Sequence, residues 1–189
     1  MRTRAAYGVV LGLLGLVGAC GSGTEVETFY PLTSGRSWSY VLLLRQGAEA
    51  DARTVETSSR VTNLPPQTFQ AATVTPQQTQ AFGQTQVRLI RANAEGVAEV
   101  AMQPDPAGSP LPRVPPNYIL RLPLQMGASW QSTWQSNQFS QTTLIPMTKT
   151  VARTDGKISL PAGEFEGCLV LSIQGHGQVT APSGPVEVT

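Results

Sequence analysis

Fifteen prolines and eighteen glycines interrupt this chain of 189 residues, and that punctuation is the strongest limit on what it can fold into. A proline inside a helix removes a hydrogen bond and clashes with the preceding turn, so helices much longer than a few turns are excluded over most of the sequence. The stretches between are rich in Thr, Val, Gln and Ser, with few lysines, a composition that suits a half-buried pleated surface. Short strands at turn spacing are therefore expected, in a mainly β fold: an antiparallel sheet, half-open barrel or sandwich.

Alternation places the strands. Trp38, Tyr40, Leu42 and Leu44 occupy alternate positions in 36–46, one face of a strand. Residues 53–62 form a more polar candidate. The Gln-, Thr- and Ala-rich segment 65–80 fits a loop, a poor strand or a short helix. Segments 86–92 and 96–102 flank Asn93-Ala94-Glu95-Gly96 and read as a hairpin. Six prolines within the thirteen residues 104–116 predict an extended surface loop that supplies no central-strand hydrogen bonds. Strands are expected again at 118–124, 128–138 and 142–153, then, after a turn at Asp155-Gly156, at 157–160, 168–174 and 178–189. The alternation at Pro185 to Thr189 suits an edge strand or the cut end of a longer reading frame.

The amino terminus carries an address. Arg2 and Arg4 precede an apolar stretch, Ala5 to Val17, which is broken by Gly8, Gly12 and Gly15 and is too short to span a bilayer, since spanning takes roughly 20 apolar residues. It ends in Val17-Gly18-Ala19-Cys20. That quartet resembles the lipobox of bacterial lipoproteins, and the resemblance implies cleavage between Ala19 and Cys20 with lipidation of the Cys20 thiol. The alternative is an ordinary secretory signal with an incidental cysteine. The expected organisation is a signal peptide over 1–19, a lipidated cysteine and tether over 20–28, and one β-rich domain over 29–189. Two or three acyl chains would hold the mature protein at a membrane for long periods, whereas one chain binds only marginally.

Charge and cysteine count narrow the options. Without Arg2 and Arg4 the mature chain carries 11 basic and 12 acidic residues, a balance that gives no sign of nucleic-acid binding. There are two cysteines, so lipidation of Cys20 leaves Cys168 without a disulfide partner. Its apolar neighbourhood, Gly167 to Ile173, predicts a buried and inert thiol.

Pro31-Leu32-Thr33-Ser34-Gly35-Arg36-Ser37-Trp38 recurs as Pro123-Leu124-Gln125-Met126-Gly127-Ala128-Ser129-Trp130. Each copy reads as a strand-opening device: a proline outside the ladder, a glycine for a tight reversal, then a tryptophan at the start of a strand. The alternative is a pair of tryptophans lining a ligand groove. With Leu160-Pro161-Ala162-Gly163-Glu164-Phe165 preceding the Cys168-Leu169 strand, these motifs resemble a loosely defined group of uncharacterised bacterial envelope lipoproteins. The resemblance implies half-open antiparallel sheets like those of lipoprotein carrier and receptor domains, and it transfers no catalytic residues. Members commonly continue to a Tyr-x-Pro-Gly-x-Gly segment, which leaves open whether the sheet is complete at Thr189.

Chemistry-bearing residues are sparse. His176 is the one histidine, no HExxH or paired cysteines occur, and no Gly-x-Ser-x-Gly elbow is present, so no metal, cofactor or serine nucleophile is expected. Glu164 and Glu166 straddle Phe165 and would share a strand face, either as a solvated hairpin tip or as a glycosidase-like acid pair. Trp38, Trp130 and Trp134 are candidate ligand-lining residues, Trp130 and Trp134 sharing a face by their even spacing, with core packing the alternative. The expected role is a non-catalytic, lipid-anchored envelope module that binds an apolar ligand or an envelope protein partner. The alternatives are an envelope hydrolase and a purely structural assembly protein.

Overall fold

The structure is a computed structural model that describes residues 28–46, 53–81, 83–136, 143–160, 163–181 and 184–188. Cys20, Ala19 and the tether up to residue 27 lie outside the described residues. The fold is mainly β, built from antiparallel strands that do not close into a barrel. In chain order these are β1 (Ser37–Gln46), β2 (Arg53–Asn63), β3 (Gln67–Phe69), β4 (Ala72–Ala81), β5 (Gln84–Asn93), β6 (Gly96–Gln103) and β7 (Leu111–Arg121), followed by β8 (Ser129–Ser136), β9 (Thr143–Leu160), β10 (Gly163–Gly175), β11 (Gly177–Ala181) and β12 (Gly184–Val188). The first sheet runs β1-β2-β4-β5-β6-β7, with β3 beside β4; the second runs β10-β9-β8; β11 and β12 form a hairpin.

One apolar cluster draws on both sheets. Ile90 of β5, Val97 of β6, Leu120 of β7, Trp130 of β8 and Val151 of β9 are buried together with Leu124, and Leu169 and Leu171 of β10 pack against them. Strands from both sheets meet there because the sheets fold toward each other, as in a half-open sandwich. The face that carries this cluster is the inner face. Phe29, Tyr30 and Leu32, just ahead of β1, pack into it and fill its apolar part. A second cluster of Val74, Val87, Leu89, Val100 and Ala101, with Phe69 against it, covers the opposite face of β4, β5 and β6. Leu89 and Ile90, adjacent on β5, point to opposite faces, and both are fully buried.

The repeated motif opens two strands with the same hydrogen bonds. In the first copy Gly35 N donates to Asn63 O at 2.8 Å, Arg36 N to Thr33 O at 3.3 Å, and Asn63 N to Arg36 O at 2.9 Å. In the second, Gly127 N donates to Val151 O at 2.8 Å, Ala128 N to Gln125 O at 2.9 Å, and Val151 N to Ala128 O at 2.8 Å. Register then repeats as well: Ser37 and Trp38 oppose Thr62 and Val61, while Ser129 and Trp130 oppose Thr150 and Lys149. Both glycines take left-handed backbone, with φ of 79° at Gly35 and 86° at Gly127, and a Cβ at either would meet nothing within 4 Å. Backbone conformation rather than space selects glycine there. Each unit continues through Leu-Pro-x-x-x-Phe, Leu64 to Phe69 and Leu160 to Phe165, so that β1-β2-β4 and β8-β9-β10 are meanders of the same order.

One open reading is resolved and two expectations are corrected. Segment 65–80, open between loop, strand and short helix, contains β3 and most of β4, a strand paired on both sides. Its Pro76 falls where pairing on one side passes from β2, which ends at Asn63↔Gln77, to β3, which ends at Gln67↔Val74. The proline-rich loop is shorter than 104–116: β7 starts at Leu111 and includes Pro112, Pro115 and Pro116. It tolerates them because it ends its sheet's hydrogen-bonded order and bulges against β6 between Glu99 and Ala101. Asp155-Gly156 is no turn either, since β9 passes straight through it. Gly156 is a close approach to β10, where a Cβ would meet Val170 Cγ2 at 2.6 Å and Cys168 O at 2.9 Å.

Gly35→Ala and Gly127→Ala should each destabilise the fold by about 1–3 kcal/mol, because alanine must hold left-handed backbone. Thermal unfolding followed by circular dichroism should show a drop of roughly 2–4 °C per kcal/mol for a domain of this size. Unchanged melting in both variants would contradict the matched-turn account.

Candidate functional site

Beside the apolar cluster, the inner face carries polar side chains where a sheet ordinarily buries hydrocarbon. Gln77 on β4 is 1% exposed, and its amide is satisfied on both sides. Its Oε1 accepts from Tyr30 Oη at 2.8 Å and from Arg88 Nη2 at 2.7 Å, and its Nε2 donates to Asn63 Oδ1 at 3.1 Å. Asn63 Nδ2 in turn donates to Pro31 O at 3.0 Å and Thr33 O at 3.2 Å, which ties the first strand-opening motif to β2 and β4. A buried polar network of this kind is stable only when its members find partners, as the Gln77 and Asn63 amides do.

Next along the face, Glu99 of β6 is 4% exposed and accepts from Arg113 Nε of β7 in a partly buried ion pair. Lys149 of β9 is also buried, at 9% exposure. Its Nζ donates to Tyr118 O at 3.1 Å, the same carbonyl that accepts from Trp130 Nε1 at 3.1 Å. Burial, and then the neighbouring Arg88 cation, lower the Lys149 ammonium to a pKa of about 8, with Glu99 opposing them. Burial raises the Tyr40 phenol, Tyr30 adds to the rise, and Arg88 works against it.

Between the zones lies the join of the two sheets. Asn117 of β7 donates from Nδ2 to Thr133 O at 2.9 Å and accepts at Oδ1 from Thr133 N at 2.9 Å and Ser132 Oγ at 3.0 Å. The side-chain amide thus takes the place of a neighbouring strand's peptide on β8.

The candidate tryptophans do not form one platform. Trp130 is 4% exposed and belongs to the apolar cluster; Trp134 lies on the same strand face but is 38% exposed; Trp38 is half-buried on β1, across from Val61. Glu164 and Glu166 are brought together by Lys157, whose Nζ lies 3.1 Å from a carboxylate oxygen of each. Those hydrogen bonds, to Glu166 first and then Glu164, raise the Lys157 ammonium above its ordinary range. His176 is exposed at the junction of β10 and β11. Cys168 is half-buried and free, rather than fully buried, because β10 is bulged on both sides of it. Among the described residues, no three His, Cys, Asp or Glu side chains gather as metal ligands.

Two open clefts, of about 380 and 370 Å³, lie elsewhere. The first is walled by Thr57, Gln80 and Gln84 at the β4–β5 turn, the second by Leu64, Gln67, Gln103 and Pro106. Neither includes a member of the polar inner zone. No protein-family model, curated protein or solved structure gives a match to this chain.

Sequence reasoning missed Asn63, Gln77, Arg88, Glu99, Arg113, Asn117 and Lys149. One signal was readable. Ile145, Met147, Lys149 and Val151 alternate on one strand face, and Lys149 is one of two lysines in the chain, a charge in an otherwise apolar row.

Because the folded-state pKa of Lys149 lies below its unfolded value, the unfolded chain binds more protons between about pH 8 and pH 10.5. Stability should therefore rise with pH across that window. Measured against Lys149→Met, which removes this titration, wild-type protein should gain roughly 1–3 kcal/mol in denaturant unfolding between pH 7.5 and pH 10. Parallel pH profiles for the two proteins would contradict the assignment.

Proposed function

We infer that this chain is a lipid-anchored protein of the bacterial cell envelope whose inner sheet face is a non-catalytic recognition surface. The anchor rests on the lipobox-like Val17-Gly18-Ala19-Cys20 after a charged and apolar leader. Recognition rests on one observation: amides and charged groups from β4, β5, β6, β7 and β9, with the phenols of Tyr30 and Tyr40 beside them, line one inner face held by well-packed strands. A polar ligand or partner is favoured over an apolar one, because Phe29, Tyr30 and Leu32 already fill the apolar part of that face. The partner would be met within a short tether of a bilayer, at the outer membrane facing the periplasm in a host with two membranes, or otherwise on the outer face of the plasma membrane.

The acid pair gives the hydrolase alternative little support. Glu164 and Glu166 are exposed and share Lys157, an arrangement of surface ion pairs rather than of two carboxylates facing across a cleft.

Metabolic labelling with radioactive palmitate in a bacterial host tests the anchor. Wild-type chain should take up label and sediment with membranes, whereas Cys20→Ala should take up none and shift to the soluble fraction. Unlabelled wild-type chain, or a Cys20→Ala variant that is still labelled, would overturn the anchor.

A further inference from the structure

We propose that Arg88 and Lys149 form an oxyanion-binding site on the inner face, taking a carboxylate or phosphate group of a ligand. This deepens the recognition reading of that face and is independent of the anchor.

Charge counting on the described inner face leads to the site. Arg88, Arg113 and Lys149 project there from β5, β7 and β9, and Glu99 is the carboxylate among them. Glu99 is taken by Arg113. Arg88 and Lys149 then have no direct ion pair among the described residues, with Glu99 acting on Lys149 only from a distance, although Lys149 is buried and Arg88 half-buried. Each is held by a neutral acceptor: Arg88 Nη2 by Gln77 Oε1, Lys149 Nζ by the Tyr118 carbonyl. Two like charges in one poorly solvated place repel, and a shared anion would relieve both.

Two unused donors point to the same place. Arg88 Nε is buried with no acceptor, so a guanidinium fork that matches two oxygens of a carboxylate or phosphate is only partly occupied. Thr79 Oγ1, on the same face of β4, is buried and likewise without a partner. The two residues are diagonal neighbours, since Gln77 opposes Arg88 and Thr79 opposes Gln86. Tyr30 and Tyr40 lie alongside, Tyr30 donating to the Gln77 oxygen that also holds Arg88 and Tyr40 close enough to feel the Arg88 charge. An anion entering here would meet the Arg88 fork, the Lys149 ammonium and a hydroxyl, with phenols at the side.

The test uses the full mature chain in neutral detergent at pH 7, where Lys149 is charged. Inorganic phosphate, glycerol phosphate and acetate are titrated separately by calorimetry against sodium chloride of equal ionic strength. Saturable binding of at least one oxyanion, absent with chloride, is expected. Arg88→Gln and Lys149→Met should each weaken it about tenfold or more, as loss of a charge-assisted contact does. Arg153→Gln, which removes an exposed ion pair with Asp155, should leave it unchanged. Tighter binding of glycerol phosphate than of phosphate would assign the group to a lipid-like headgroup, the reverse to a free anion, and acetate alone to a carboxylate ligand.

No binding beyond chloride, or wild-type binding by Arg88→Gln, would overturn the proposal. Arg88→Gln keeps the test decisive even if Lys149→Met fails to fold. Hydrogen exchange separates the two readings. Protection of β5 and β9 by neutral glycans or peptides but by no anion would remove this site and leave recognition standing, whereas protection by none of them would remove both.

Discussion

The Asn117 side chain replaces a strand peptide at the point where one sheet ends and the other begins, and the remaining architecture is arranged around that substitution. Backbone groups on the β8 edge need partners as much as any others do. Here the donor and the acceptor of Thr133 both find them in one carboxamide on β7. One residue further on, Tyr118 O collects the Trp130 indole and the Lys149 ammonium, so β8 and β9 are held to β7 by side chains rather than by a ladder. A ladder would continue the sheet smoothly from β7 into β8. Side-chain joints instead let the second sheet turn over the first, bringing Val151 and Leu171 to Ile90 and Val97.

That turn creates an inner face with two characters. Its apolar part is closed by the segment leading into β1 and behaves as core. Its polar part keeps Glu99 and Lys149 buried at the expense of their hydration, which a stable sheet tolerates only with compensating partners. Arg113 supplies one for Glu99, and a main-chain carbonyl supplies a weaker one for Lys149. Burial, and then the nearby Arg88 charge, lower the Lys149 pKa to about 8, a cost that the better-paired Glu99 does not cancel.

Much of this architecture was legible in the sequence, and the failures share a physical cause. Alternation in Trp38 to Leu44 announced β1, and the apolar runs on either side of Asn93-Ala94-Glu95-Gly96 announced β5 and β6, whose two faces both carry apolar clusters. The repeated Pro-Leu-x-x-Gly-x-Ser-Trp announced two matched turns because left-handed backbone leaves a glycine signature. β4 stayed ambiguous because its inward residues, Gln77 and Thr79, face a polar zone, so burial carried no hydrophobic signal. Gly156 suggested a turn because a glycine required by close packing looks the same in sequence as one required by backbone conformation. The polar zone could not be assembled from sequence at all: Arg88 and Lys149 are 61 residues apart and stand on strands of different sheets.

Hydrogen exchange of Asn117→Ala, read strand by strand by mass spectrometry, tests the joint most directly. Alanine removes the carboxamide and leaves Thr133 N and O without partners, a loss of about 1–3 kcal/mol that should fall locally. β8 and β9 should then exchange faster, while β4, β5 and β6, buried on both faces or paired on both edges, keep their protection. Equal loss of protection across both sheets, or none in either, would contradict the claim that this one side chain joins them.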